Sequence, residues 1–553
     1  MSSIDTLLKI LRENQETEIG TSWEFRKIRS LEDYQKYVPI TTYDTYAPAV
    51  EMMRENGIGK ILTDEAVFGY SLTSGTTGVP KLIPCTVNHL EPYLEAFEDT
   101  RIKGSTLLLC ESMPYDPSLD SGDQIDSISG MVLTALRENF RQNTFKKIFS
   151  GGAYTSPMEL LVTREVMDSV HLRLLFALAD PKVGQIIAPF TWNVLEMFIY
   201  LENNWELLLE DLELGMIAEG ITVSEEMRTV LNDKLGSHPR RAAELRAIFE
   251  KGFDTPILPR IWPDCERIIA AGTGSFSVYT EKLPYYTGDV SLYNGYYASS
   301  EALIGMCENE NMDQYILLDE LNFFEFVPVE EEEAVPVPLE KLEPGKCYEI
   351  LLTSHSGLYR YAMGDVIRFV GMADGRAVFT FEYRYDQCYA MTTEVMTEQQ
   401  IFRAVQKLEK VNHIEINDFC YWPDELEGTY TIILEPSQHE TTMDWLQGIF
   451  GEDLESEFET YLQEANPSYR AARAEGKLLA CRVLIGQHQT HLLYRDMQKL
   501  RRRMAPDQIK PIRLLDNPVK EKFFFSMLDE EFHGSELIDS YLKRYKKKKR
   551  KEV

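Results

Sequence analysis

Residues 66–85 read AVFGYSLTSGTTGVPKLIPC, and the order of residue types in this stretch decides how the rest of the chain is read. A strand-like run, Ala66 to Leu72, enters a Thr/Ser/Gly loop. Pro80, Lys81 and a second apolar run follow, which makes a strand–loop–strand or strand–loop–helix element. Gly75 and Gly78 let backbone N–H groups turn toward bound oxygens, the hydroxyls of Thr73, Ser74, Thr76 and Thr77 add donors, and Lys81 supplies positive charge. Together they suit a polyphosphate. A plain Ser/Thr/Gly turn produces part of this pattern by chance, but the ordered string is much rarer. The spacing G-x-x-x-x-G-K-[ST] is absent and Leu82 follows the lysine, so the common NTPase loop of simple kinases and GTPases is excluded.

Outward from this loop the chain divides by pattern. N-terminal to it, helical spacing is broken at Pro39. From about Leu160 to Phe249 the apolar period is mostly helical, and Asn203, Asn204 and flanking glutamates argue against a membrane span in Phe190 to Leu209. From Ala270 to Val370 the period shortens toward two, as in sheet strands, with a surface connection at Glu330 to Glu333. After Arg384 the character changes again. Thr397 caps a helix from Glu398 to about Leu408 with Gln400 completing a capping box. Strand-like Thr429 to Leu434, a helix near Thr441 to Glu464 and the run Arg482 to Ile485 follow, enough for a small α/β domain of ~160 residues.

The 553 residues exceed one compact core and suggest roughly two to four cooperative units. Hydrophobic residues make up 44% and charged residues 26%, and no apolar run approaches the ~20 residues a membrane span needs. The first twenty residues lack a signal-peptide core, which predicts a cytoplasmic protein. A formal net charge of −32 disfavours nucleic acid and anionic membranes as partners. The eight cysteines are scattered and read as buried thiols. His488 and His491 have metal-compatible spacing without an adjoining carboxylate and read as structural. Lys543, Arg544 and Lys546 to Lys551 form a basic tail, either a solvated terminus or a docking patch for an acidic partner or RNA.

Two later segments narrow the reading: YNGYYASSEALIG at 293–305 and GLYRYAMGDVIRFVG at 357–371. With the first loop they resemble the acyl-adenylate-forming superfamily, and within it the acyl acid amido synthetases of the auxin-responsive Gretchen Hagen family. The likeness runs from Phe25 to about Leu515. It implies that Thr73, Ser74, Gly75, Thr76, Thr77 and Gly78 cradle the phosphates of ATP beside Lys81. It implies further that Tyr297 lies against adenine, Ser299 and Ser300 approach the α-phosphate, Glu301 binds Mg²⁺ and Asp365 accepts from the ribose hydroxyls. Arg384 matches a hinge arginine that meets the nucleotide, and Lys510 in Asp507 to Arg513 matches a mobile lysine presented during adenylation. Taken without the resemblance, Ser299 to Glu301 reads as a strand ending in a helix cap, Asp365 as a turn cap and Lys510 as a surface lysine. Tyr361 and Arg360 read as supports of the loop. The sequence departs from plant relatives in a shorter phosphate loop and in Val395, where a lysine commonly follows the acid at Glu394.

The resemblance implies an α/β, adenylate-forming fold like that of luciferase and acyl-CoA synthetase. A large N-terminal ATP- and acyl-binding domain would span residues 1–383, and a small mobile C-terminal domain 384–553. The implied activity is that of a ligase using ATP and Mg²⁺ to activate a carboxylic acid, then passing the acyl group to an amine such as that of an amino acid. An acyl-CoA synthetase shares the first step and remains the alternative, with a non-catalytic nucleotide-binding protein as a third reading. The acyl pocket is expected from the region 110–200 and the strands before Tyr297, with Tyr285, Tyr286 and Tyr296 as candidate walls.

Overall fold

The computed structural model describes residues 3–56, 59–73, 81–98, 102–114, 124–137, 153–307, 313–329, 334–385, 388–500 and 505–548. The chain divides into two units: Met1–Glu382 with Arg502–Ile509, and Tyr383–Arg501 with Lys510–Val553. The first unit carries β1 (Gly69–Leu72), β2 (Leu82–Cys85), β3 (Ser105–Leu108), β4 (Ile125–Asp126), β5 (Val183–Phe190), β6 (Arg267–Ala271) and β7 (Ser291–Tyr293). It continues with β8 (Tyr296–Ala298), β9 (Leu303–Met306), β10 (Gln314–Leu317), β11 (Phe323–Pro328), β12 (Cys347–Thr353), β13 (Tyr361–Ala373) and β14 (Arg376–Arg384), the last two residues of β14 falling in the second unit.

Among the described residues these strands form three sheets of the first unit, ordered β2-β1-β4, β3-β5-β6-β7 and β11-β12-β13-β14-β10-β9-β8. The four-stranded sheet is parallel throughout. Parallel sheets need cover on both faces, which is why β5 is a nearly unbroken apolar run flanked by helices. The helix Ser169–Ala179 is buried along almost its whole length. Its polar members are matched: His171 lies 2.9 Å from Asp211 and 3.0 Å from the Tyr200 hydroxyl, and Arg173 donates to the Leu108 carbonyl at 2.9 Å. The helix Thr191–Leu214 stops at Gly215, whose φ of +69° is the left-handed cap a glycine supplies without strain. Asn203 and Asn204 donate to carbonyls one turn back in that helix. No helix among the described residues is long and apolar enough to cross a membrane.

Several tyrosines are buried in the core against the seven-stranded sheet, and the hydroxyls of three of them are satisfied rather than stranded. Tyr34 pairs with Thr353 at 2.7 Å, Tyr46 donates to the Tyr359 carbonyl at 2.8 Å, and Tyr359 donates to the Leu62 carbonyl at 2.9 Å.

The second unit holds β15 (Cys388–Tyr389), β16 (Met396–Thr397), β17 (Ile416–Asp424), β18 (Thr429–Pro436) and β19 (Arg482–Ile485). Its main sheet runs β17-β18-β19. The helix Glu398–Asn412 begins with the expected capping box between Thr397 and Gln400 and runs one turn further than the sequence suggests, to a left-handed His413. The single helix read at 441–464 is two, Glu440–Ile449 and Glu452–Ala465, because Gly451 adopts φ +105° between them. The helical stretch read at 160–249 is interrupted by β5, whose apolar run carries no period that distinguishes strand from helix. All eight cysteines are free thiols. His491 does have a carboxylate partner, supplied from β18: its Nδ1 lies 2.8 Å from Glu435. No group of metal-ligating side chains is present among the described residues.

Candidate active site

β1 and β2 pair antiparallel up to Leu72 opposite Leu82, so the strand–loop–strand reading describes this element. The stem of the loop is closed twice: the Thr73 N–H donates to the Lys81 carbonyl at 2.9 Å, and the Lys81 N–H donates to Thr73 Oγ1 at 3.1 Å. Ser74, Gly75, Thr76, Thr77 and Gly78 lie outside the described residues. The Lys81 ammonium donates to the Tyr361 hydroxyl at 3.3 Å and sits 5.9 Å from the ring centres of both Tyr43 and Tyr361. Two electron-rich ring faces thus hold the cation at the base of the loop. Tyr43 is fixed in turn by hydrogen bonds to both backbone groups of Leu82.

The YASSE segment forms the hairpin between β8 and β9, with no helix after it, so Ser299 caps a turn rather than a helix. Ser299 Oγ accepts from the N–H groups of Glu301 and Ala302, each at 3.2 Å, and the Ser299 N–H donates to the Ala302 carbonyl at 3.0 Å. A side-chain oxygen used this way fixes the turn. From the helix Val87–Glu98, Tyr93 braces it by donating to the Ser299 carbonyl at 2.7 Å. Burial first, and the nearby Glu301 carboxylate with Cys85, raise the Tyr93 hydroxyl well above its ordinary pKa, so it remains a donor. Ser300 is half-buried in the turn. Glu301 is 6% exposed, and among the described residues no lysine or arginine pairs with it.

The YAMGD segment enters β13 through a bulge. Ala362 faces Leu351 and Val366 faces Glu349, so the register against β12 slips between them. Gly364, at φ +77°, takes the conformation the bulge requires. Asp365 is thereby fully buried and accepts a hydrogen bond from the Tyr297 hydroxyl. The Tyr297 ring packs against Tyr315, Phe379 and Phe381 at 5.6–5.9 Å between centres. Neighbouring Glu349 has its pKa raised, by burial first and then by the charge of Asp365.

Three sequence motifs therefore converge: Lys81 meets Tyr361 of the third, Tyr297 of the second meets Asp365 of the third, and Glu301 stands on the turn four residues after Tyr297. Arg360 and Tyr361 are supports, as the sequence suggests. Arg360, in left-handed backbone at φ +47°, forms a two-point ion pair with Glu325 at 2.8 and 3.0 Å and donates to the Val38 carbonyl at 2.8 Å. Tyr43 and Tyr93 carry no sequence signal, since each lies on a helix remote in sequence from what it braces. Of the expected pocket walls, Tyr286 stacks on Phe198 and donates to Glu202 at 2.5 Å, Tyr285 is 50% exposed, and Tyr296 packs into an apolar cluster with Leu303 and Met131.

Arg384 and Lys510 belong to the second unit. Arg384 ends β14. Lys510 follows the 3₁₀ turn Pro506–Gln508 and is half-buried. Glu394 is fully buried in that unit and accepts from the N–H groups of Met391 and Thr392, the Thr392 hydroxyl and the Tyr430 hydroxyl. These donors outweigh burial and hold its carboxyl below the usual range.

The domain patterns of one family match the chain in series: the GH3 family N-terminal domain over residues 3–292, the central domain over 315–384 and the C-terminal domain over 399–519. The chain is 27% identical over 435 residues to a jasmonoyl–L-amino acid synthetase, JAR4, of Nicotiana attenuata, covering 75% of each. It is 27% identical over 431 residues to an indole-3-acetic acid-amido synthetase, GH3.17, of Arabidopsis thaliana, covering 70% of this chain and 68% of the relative. The solved structure of the GH3.15 acyl acid amido synthetase superposes with a TM-score of 0.79 at 22% identity, over 95% of this chain and 93% of that one. A shared α/β fold and three consecutive domain matches lead to one conclusion: this protein belongs to the GH3 family.

Proposed function

We propose that this chain is an acyl acid amido synthetase that adenylates a carboxylic acid with ATP and Mg²⁺ and transfers the acyl group to an amine, with an amino acid as acceptor. The observation that carries the reading is the convergence of Lys81, Glu301 and the Tyr297–Asp365 pair from three separated motifs. The amine, rather than a thiol, is favoured by the two relatives named above, whose names specify amino acid and amido products.

Each residue has a defined part. Asp365, oriented by Tyr297, accepts from the ribose hydroxyls, and the ring of Tyr297 lies toward the base. Thr73 to Gly78 receive the phosphates through backbone and hydroxyl donors, with Ser299 and Ser300 toward the α-phosphate. Lys81, held by Tyr43 and Tyr361, faces the charge that develops as pyrophosphate departs. Glu301 would hold Mg²⁺: a nearly buried carboxylate without a lysine or arginine pair among the described residues suits an external cation, and a phosphate-bound Mg²⁺ needs only one or two protein carboxylates. When bound, the ion neutralises phosphate charge. The substrate carboxylate attacks the α-phosphorus and pyrophosphate leaves. The amine nitrogen then attacks the acyl carbonyl, AMP leaves, and the amine proton passes to solvent. No protein nucleophile takes part.

In this reading residues 1–383 form the nucleotide- and acyl-binding domain, and 384–553 the mobile domain carrying Arg384 and Lys510. The protein works in the cytoplasm. The test is ATP–pyrophosphate exchange across a panel of carboxylic acids, followed by product analysis with amino acids or CoA. Acid-dependent exchange lost in Glu301→Ala and Asp365→Ala, with amide and no thioester as product, is the expected result. Exchange that ends only in a thioester overturns the acceptor assignment.

A further inference from the structure

Glu301 stands on the turn Ser299 to Ala302, between the end of β8 and the start of β9. The bonds that close this turn pivot on Ser299. Its N–H donates to the Ala302 carbonyl at 3.0 Å, and its Oγ accepts from the Glu301 and Ala302 N–H groups, each at 3.2 Å. The orientation of this one residue therefore sets the direction of the Glu301 side chain. The Ser299 carbonyl is held from outside the turn, by the Tyr93 hydroxyl at 2.7 Å.

Tyr93 offers a rigid mounting for that bond. Its helix, Val87–Glu98, begins directly after Thr86, which follows β2, the strand that Lys81 leads into. Thr86 caps the helix: its Oγ1 accepts the His89 N–H at 3.2 Å, and its carbonyl accepts the Leu90 N–H at 3.0 Å. Leu90, Tyr93 and Leu94 share an apolar cluster with Leu303, the first residue of β9. One turn back along the helix, the His89 ring lies 5.6 Å from the Tyr93 ring, as neighbours at this spacing do. A short buried path thus runs from Lys81 through β2 and the helix to the turn that carries Glu301.

The direction of the hydroxyl matters as much as its place. Tyr93 is raised by burial first, then by the charges of Cys85 and of the nearby Glu301. A buried hydroxyl donated to that carboxylate would occupy an oxygen that a hard cation needs. Here the proton goes to the Ser299 carbonyl, which leaves the carboxylate to the cation.

We infer that Tyr93 is a positioning residue for the divalent cation: its hydroxyl locks the Ser299–Ala302 turn so that Glu301 meets the Mg²⁺ carried by ATP. This rests on the activity proposed above and on the part given there to Glu301. The experiment uses the full-length enzyme and α,β-methylene ATP, whose α–β bridge cannot be cleaved, so that calorimetry reads binding without turnover. Affinity is measured once with Mg²⁺ and once with EDTA in its place, and the ratio of the two is the gain the cation supplies.

In Tyr93→Phe, which keeps the ring and removes the donor, this ratio is expected to fall about tenfold, with the metal-free affinity within about twofold of the unaltered enzyme. Amide hydrogen exchange at Glu301 and Ala302, whose N–H groups the turn holds, should rise in the same variant. Glu301→Gln is the reference for loss of the carboxylate. A ratio kept in Tyr93→Phe but lost in Glu301→Gln overturns the inference alone, as does an equal fall in affinity with and without Mg²⁺, or unchanged exchange at both amides. A ratio near one in the unaltered enzyme, or one that survives Glu301→Gln, overturns the metal-binding part given to Glu301 and the inference with it. No binding of the analogue by the unaltered enzyme in either condition overturns the proposed activity itself.

Discussion

Tyr297 and Asp365 are separated by 68 residues and joined by one hydrogen bond. A hydrogen bond to a charged group contributes about 1.5–3 kcal/mol, so Tyr297→Phe, which keeps the ring and removes the donor, should raise the KM for ATP by about tenfold or more. Its kcat should move much less, because the bond orients the acceptor in ground and transition state alike. Steady-state kinetics against ATP separate the two. A fall in kcat at unchanged KM would instead place the hydroxyl at the reacting phosphate. Arg360 carries a different prediction. Its partner Glu325 is 1% exposed, so Arg360→Ala strands a buried carboxylate and should lower unfolding free energy by about 3–5 kcal/mol in a urea titration. Residue identities were legible in the sequence because their chemistry is specific to type and order. Their bracing was not: nothing near Val87–Glu98 announces that Tyr93 supports a turn more than two hundred residues away, because that support is a through-space hydrogen bond.

At the scale of elements, the bulge in β13 does the positioning. Gly364→Ala introduces a side chain at φ +77°, which should cost about 1–2 kcal/mol of stability and displace Asp365. Exchange activity should then fall more than stability alone explains, measured at a temperature well below the unfolding midpoint. The helix Glu398–Asn412 offers a cleaner case, because its capping box links Thr397 and Gln400 away from the motif residues. Thr397→Ala should cost about 1 kcal/mol in denaturant unfolding. The capping box was readable from sequence because it is local, a Ser/Thr–Glu/Gln pair at fixed spacing. The end of that helix and the break at Gly451 were not, since propensity changes little there and tertiary packing sets where each helix stops.

At the scale of the whole molecule, the second unit contains a buried histidine with an unusual charge state. The carboxylates of Asp418 and Glu435, with Cys420, outweigh burial and raise the His491 pKa from 6.5 to about 10. A histidine raised on folding stabilises most below its unfolded pKa and loses that contribution as pH climbs through the folded one. Thermal unfolding of the second unit should therefore fall by about 5 °C or more between pH 7 and pH 10. In His491→Gln that alkaline loss should flatten. His89 and His355 of the first unit are lowered to about 4, chiefly by burial, so their destabilisation appears at the other end, as pH drops from 6.5 toward 4. The sequence by itself determined the α/β class, the family resemblance and the order of the three motifs, because loop composition, apolar period and motif spacing are properties of neighbouring residues. Only the tertiary structure decided that Tyr297 donates to Asp365, that Lys81 rests between Tyr43 and Tyr361, that Glu435 reaches His491, and that residues 505–509 belong with the first unit. Each of these joins residues far apart in the chain, where burial and the need to satisfy polar groups choose the partner and no local pattern records the choice.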